Sequence, residues 1–260
     1  MRSCLVAFGM LLLNAFALGA QSRAAAAESN RYWISADRRD TVRYRDPAEA
    51  DVLGALAQRV DDARLVDSVL AHASEKVGLE GLSVVFRPCG TANAFYYSRT
   101  DRIVLCAELL RDFARLMHAE GNSDALGVSL DALRFTAAHE IGHAVIARYQ
   151  LPITGDEEIA ADEFAAWLLD QSGEKAELIN TDVLFIAQAL HEDVTYSQAV
   201  EAHGLAGQRQ ARLHCWVVVM PDYQSEDAER LGKCMASTAR AQRTWATLLA
   251  PHRPLRAAAQ

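Results

Sequence analysis

Residues 135–162 read FTAAHEIGHAVIARYQLPITGDEEIAAD, and the fold turns on how this stretch is parsed. From Phe135 to Ile146 it is apolar and alanine-rich, and Glu140 is its only charge. That composition predicts a buried helix, part of a longer helical run from Leu130 to Tyr149. Leu151-Pro152 breaks the run and Gly155 permits a reversal. Asp156-Glu157-Glu158 then opens a second helix, Glu157 to Gln171, with acids at its positive end.

Within the first helix, His139-Glu140-Ile141-Gly142-His143 is an H-E-x-x-H sequence. Residues four apart share a helix face, so both imidazoles can reach one Zn²⁺ while Glu140, one position round, points toward a water on the same ion. Gly142 and Ala138 keep this turn small. A catalytic zinc takes a third protein ligand and leaves one position open. Glu158 is the candidate for that ligand, with Glu157 and Asp162 as alternatives. Asp162 lies four residues beyond Glu158, and a carboxylate there can orient a ligand histidine by accepting its second ring N–H. The helix dipole accounts for Asp156 and Glu157 but not for Asp162, which sits a turn further in among alanines.

Outward from this centre the chain divides simply. Residues 1–27 carry Arg2, an apolar run from Leu5 to Leu18 and small residues after it, which reads as a signal peptide. An uncleaved anchor is the alternative, but the run falls short of the roughly 20 apolar residues that span a bilayer. No later stretch looks transmembrane, so no stable membrane insertion is expected after cleavage. Residues 28–46 form a linker or short pro-segment, residues 47–252 a single domain, and residues 253–260 a frayed tail.

Pro47 to Val77 carries one or two helices. Three short strands, Leu82 to Phe86, Ala94 to Tyr97 and Arg102 to Leu105, follow and are expected to form a small antiparallel sheet. Beyond them the pattern is helical to Leu249. The fold class is therefore α+β: mostly helical, with a small hairpin sheet over the metal-binding helix.

Cys4 lies in the signal, leaving Cys89, Cys106, Cys215 and Cys234, an even count that suggests disulfides in an exported protein. Three pairings are possible. Cys89 with Cys106 and Cys215 with Cys234 are favoured, because each pair flanks a local loop. The absence of a C-x-x-C pair speaks against a four-cysteine zinc site. The net charge of −8, without a basic stripe interleaved with aromatics, excludes nucleic acid as an expected partner.

The pairing of H-E-x-x-H with the downstream Glu158-x-x-x-Asp162 resembles the gluzincin zinc peptidases, and Ala161-Asp162 matches the E-x-x-A-D element of one branch. Asn93-Ala94-Phe95-Tyr96 is similar to the N-A-F segments that in those families form an edge strand along the substrate backbone; an ordinary hairpin strand is the alternative. From about Cys89 to His252 the chain is similar to an uncharacterised bacterial metallopeptidase family, through Cys89-Gly90, Asn93 to Tyr96, His139 to His143, Glu158 to Asp162, His203-Gly204, Gln208-Arg209, Cys215-Trp216 and Cys234. The resemblance implies a zincin-like fold, a zinc site and a peptide or protein substrate, with Asn93, Ala94 and Phe95 on the substrate.

In such a site Glu140 serves as general base, and the tetrahedral oxyanion needs a protein donor. His203 is the first candidate, with Arg209 as a neighbouring anchor and Tyr149 as a weaker option; structural roles remain open for each. The expected function is that of a periplasmic or secreted zinc metallopeptidase. The alternative is a periplasmic binding protein that keeps zinc for structure and hydrolyses nothing.

Overall fold

The computed structural model describes residues 32–34, 47–173, 175–192, 205–223 and 227–254. Strand β1 (Tyr32–Ile34) precedes helices α1 (Pro47–Asp62) and α2 (Leu65–Lys76). Three further strands follow, β2 (Ser83–Arg87), β3 (Ala94–Tyr97) and β4 (Arg102–Cys106). Then come α3 (Ala107–Ala119), α4 (Ala125–Tyr149), α5 (Glu157–Ser172), α6 (Lys175–Leu190), α7 (Ala206–Val218) and α8 (Ala228–Leu249). Among the described residues no helix is long and apolar enough to cross a membrane.

The strands form one mixed sheet in the order β1-β2-β4-β3, not the antiparallel sheet expected from sequence. β3 and β4 are an antiparallel hairpin with Phe95 opposite Val104, whereas β2 runs parallel to β4 with Val85 opposite Val104. Two reversals explain this. The chain turns once after β2, runs along the far edge as β3, turns again at residues 98–101, and returns as β4 into the gap. Tyr32–Ile34, inside the stretch read as a linker, pairs parallel with β2.

Helix α4 is the axis of the fold. It has 25 residues, about 38 Å at 1.5 Å per residue. Asp124 caps its start by accepting from the Gly127 N–H, five residues before the predicted beginning. Its end is closed by Gln150 in the left-handed conformation, and Pro152 follows two residues later. The sheet, α2, α3, α5 and α6 all pack on it, so it is buried around most of its circumference. This burial accounts for the lack of charge from Phe135 to Ile146, where Glu140 is the sole exception. Trp245 of α8 packs edge-on to Phe164 of α5, with Trp167 beside it, and these tryptophans and Trp216 are core residues.

Arg148, near the end of α4, holds the sheet in place. Its guanidinium bonds the Asp101 carboxylate in the β3–β4 turn and the carbonyls of Gly78 and Glu80. Tyr96 donates its hydroxyl to the other oxygen of Asp101 at 3.0 Å. Burial and that carboxylate push the phenol up to about 12. β3 is thereby fixed beside the middle of α4.

Both favoured disulfides are formed: Cys89–Cys106, with Cα atoms 5.4 Å apart, and Cys215–Cys234, with Cα atoms 4.7 Å apart. The first joins the exit of β2 to the end of β4. Glu108, buried at the start of α3, accepts N–H bonds from Cys89 and Gly90 and so organises the same loop. The second bridge fastens α7 to α8.

Candidate metal centre

His139 and His143 project from α4 toward the first turn of α5. Asp156 caps that turn by accepting the Glu158 N–H at 3.0 Å, which sets Glu157 and Glu158 at the mouth of the helix. A Cβ on Gly142 would lie 3.1 Å from Cα of Ala161, so the two helices meet closely because position 142 has no side chain. The close crossing carries Glu158 onto the histidines.

Ligand atoms of His139, His143 and Glu158 all lie within 4.8 Å of one another. Nε2 of His139 is 3.2 Å from Oε2 of Glu158, and Nε2 of His143 is 3.3 Å from Oε1. The two Nε2 atoms are 3.2 Å apart. Each Nδ1 has its own carboxylate: Asp162 Oδ1 at 2.8 Å for His139, and Glu157 Oε1 at 2.7 Å for His143. Carboxylates only accept, so both Nδ1 atoms carry hydrogen, and in the neutral rings both Nε2 atoms are lone pairs.

Three lone-pair donors thus face one point, an arrangement that repels itself unless a positive charge sits there. Protons can supply it: burial lowers the affinity of His143 for a proton, but the bonds to Glu158 and Glu157 outweigh this and push it up to about 9. His139 is raised too, with burial opposed by Asp162 and Glu158. A divalent metal supplies the charge equally well. Two imidazoles and one carboxylate with solvent access on one side form a donor set suited to zinc.

Glu140 is buried, with 2% of its surface exposed. It lines, together with His143, Ala147, Glu157 and Glu158, a cleft of about 470 Å³ whose opposite wall is Asn93 to Ser98. β3 ends the sheet, so its outer edge pairs with no strand among the described residues and runs along this cleft. Asn93 turns its side-chain oxygen back onto the Ala94 N–H at 2.9 Å. A larger cavity, about 970 Å³ and lined by Trp167, Lys76 and Arg243, lies elsewhere and holds none of these groups.

The structure therefore brings together His139, Glu140, His143, Glu158 and Asp162, with Ala94 and Phe95 across the cleft. Arg209 is placed on Asp162 rather than in the cleft. Its Nε and Nη2 donate to the two carboxylate oxygens at 2.8 and 2.7 Å. Burial alone would raise the Asp162 carboxyl, but the charge and bonds of Arg209 and the bond from His139 hold it well below the usual carboxylate range. Tyr149 donates to the Gly78 carbonyl at 2.6 Å and stacks on His252. His203 lies outside the described residues. Sequence reasoning offers Glu157 only as an alternative ligand; its bond to His143 depends on the turn at residues 150–156 and has no spacing signature.

A buried helix bearing H-E-x-x-H, a second helix returning a glutamate, and an open sheet edge above them define a metallopeptidase-type domain. Residues 44–249 match the family described as "Putative metallopeptidase", and the chain belongs to that family. No curated protein and no solved structure matches the chain.

Proposed function

We propose that this protein is a zincin-like, zinc-dependent peptidase acting in the periplasm or outside the cell, with His139, His143 and Glu158 as metal ligands and Glu140 as general base. The observation that carries the reading is the convergence of two imidazole nitrogens and a carboxylate on one point, beside a buried glutamate and an open strand edge. Family membership supports a peptidase, and the two disulfides support an oxidising compartment.

When bound, zinc contributes Lewis acidity, lowering the pKa of a coordinated water to about 7 and polarising a carbonyl. The chain does the rest. The peptide extends along β3, which offers main-chain hydrogen bonds to it. Glu140, at the floor of the cleft, takes the proton of the attacking water and returns it to the departing amine nitrogen. Glu157 and Asp162 hold the His143 and His139 rings with Nε2 facing the metal.

The test is cleavage of a peptide library by parent and Glu140→Gln protein, with metal analysis on both. The reading expects cleavage by the parent only and equal zinc in the two. Equal behaviour of the two proteins toward every peptide would point instead to a zinc-containing binding protein.

A further inference from the structure

We propose that Arg209 is a positioning residue of the metal centre, acting on the metal only through Asp162 and His139 and not as an anchor for substrate. This rests on reading His139, His143 and Glu158 as the ligands.

The geometry is a relay across three helices. From α7, Arg209 sets Nε and Nη2 on the two oxygens of Asp162, a planar fork on a planar carboxylate. Oδ1 of Asp162 is shared: it receives Arg209 Nη2 at 2.7 Å and His139 Nδ1 at 2.8 Å. The fork fixes the plane of the carboxylate, and the shared oxygen fixes the imidazole in turn, so Nε2 stays directed at Glu158 and His143. Asp162 contacts the edge of the imidazole opposite Glu158, and so it influences the metal only through that ring.

Arg209 is itself held. Its guanidinium lies over the Phe185 ring of α6 at 4.7 Å, and that ring packs edge-on against Phe135 of α4. It borders a separate hollow with Leu116, Gln188 and His191, not the cleft beneath β3. The side chains of Asp162 and Arg209 are 11% and 20% exposed. Removing the cation would leave a nearly buried carboxylate with the imidazole as its one remaining partner among the described residues, free to turn. A lysine could replace the charge but not the two-pronged bond.

The experiment is a zinc competition titration with a chromophoric chelator on the full chain, for parent, Arg209→Lys, Arg209→Met, Asp162→Asn and the Arg209→Met/Asp162→Asn double variant. Circular dichroism checks the fold of each, and peptide cleavage is followed alongside. Arg209→Met should weaken zinc binding by about 10- to 100-fold, Arg209→Lys should fall between it and the parent, and the double variant should be no worse than Asp162→Asn alone. Cobalt-substituted Arg209→Lys, which retains size and charge, should show an altered visible spectrum; that readout decides the matter even if Arg209→Met does not fold.

Parental zinc affinity and cobalt spectrum in Arg209→Lys, or additive losses in the double variant, would overturn the proposal. So would a raised KM with unchanged zinc affinity, the signature of a substrate anchor. Failure of the parent to bind zinc, or parental affinity in His143→Ala, would instead remove the metal reading beneath it.

Discussion

Gly142 offers the most quantitative check on the packing that builds the site. A Cβ there would lie 3.1 Å from Cα and 3.3 Å from O of Ala161, and 3.2 Å from Cδ1 of Phe164. Carbon atoms rest at about 3.5 to 4.0 Å, so α5 must retreat by a few tenths of an ångström. Neither backbone atom can rotate aside, and the Phe164 ring is held between Trp167 and Trp245. Such overpacking costs about 2 kcal/mol, while alanine gains about 1 kcal/mol over glycine within a helix. Gly142→Ala should therefore lose about 1 kcal/mol net, a fall in Tm of about 2–4 °C for a domain of this size. Glu158 rides on the displaced helix, so zinc affinity should drop by about tenfold, the lower end seen when a ligand's support is disturbed. Gly232→Ala is the control. That glycine is also helical, but a Cβ there would meet nothing within 4 Å, so the same substitution should gain about 1 kcal/mol. Thermal unfolding and chelator competition on both variants make the comparison. If Gly142→Ala raises Tm as much as Gly232→Ala and binds zinc like the parent, the close crossing is not what places Glu158.

Three further outcomes are expected. Replacing Cys215 and Cys234 together by serine opens a bridge with a sequence separation of 19 residues and should cost about 3 kcal/mol, read as a shift in denaturant midpoint; an unchanged midpoint would contradict the pairing of α7 with α8. In chelator-treated protein, the His143 pKa of about 9 lies above the ordinary 6.5, so its contribution to stability is complete below pH 6.5 and is lost as pH rises through 9. Tm of the metal-free parent should show that decline relative to His143→Ala, and parallel curves would count against the carboxylate cage. Tyr149→Phe removes the bond to the Gly78 carbonyl and should cost about 1 kcal/mol with kcat unchanged; a large loss of kcat would restore Tyr149 to the oxyanion.

The residues of the candidate metal site are legible because their spacing is local. His139 to His143 and Glu158 to Asp162 are each one helical turn, and Pro152 with Gly155 announces the reversal between them. Helix starts are less readable: Asp124 and Asp227 cap α4 and α8 well before the apolar periodicity becomes obvious. The β-branched runs disclose strands but not their order, since insertion of β4 between β2 and β3 depends on the connection at residues 88–93. Least legible are contacts made across the chain. The bonds from Arg209 to Asp162, from Arg148 to Asp101 and from the Cys89 amide to Glu108 join residues 47, 47 and 19 positions apart, and no periodicity relates such pairs.

The most direct test of the central claim is a crystal of the zinc-loaded protein measured at the zinc absorption edge. The account predicts one strong anomalous peak at about 2.0–2.2 Å from Nε2 of His139, Nε2 of His143 and a carboxylate oxygen of Glu158, with a position left to solvent. A peak elsewhere, or no peak among these three side chains, would contradict it.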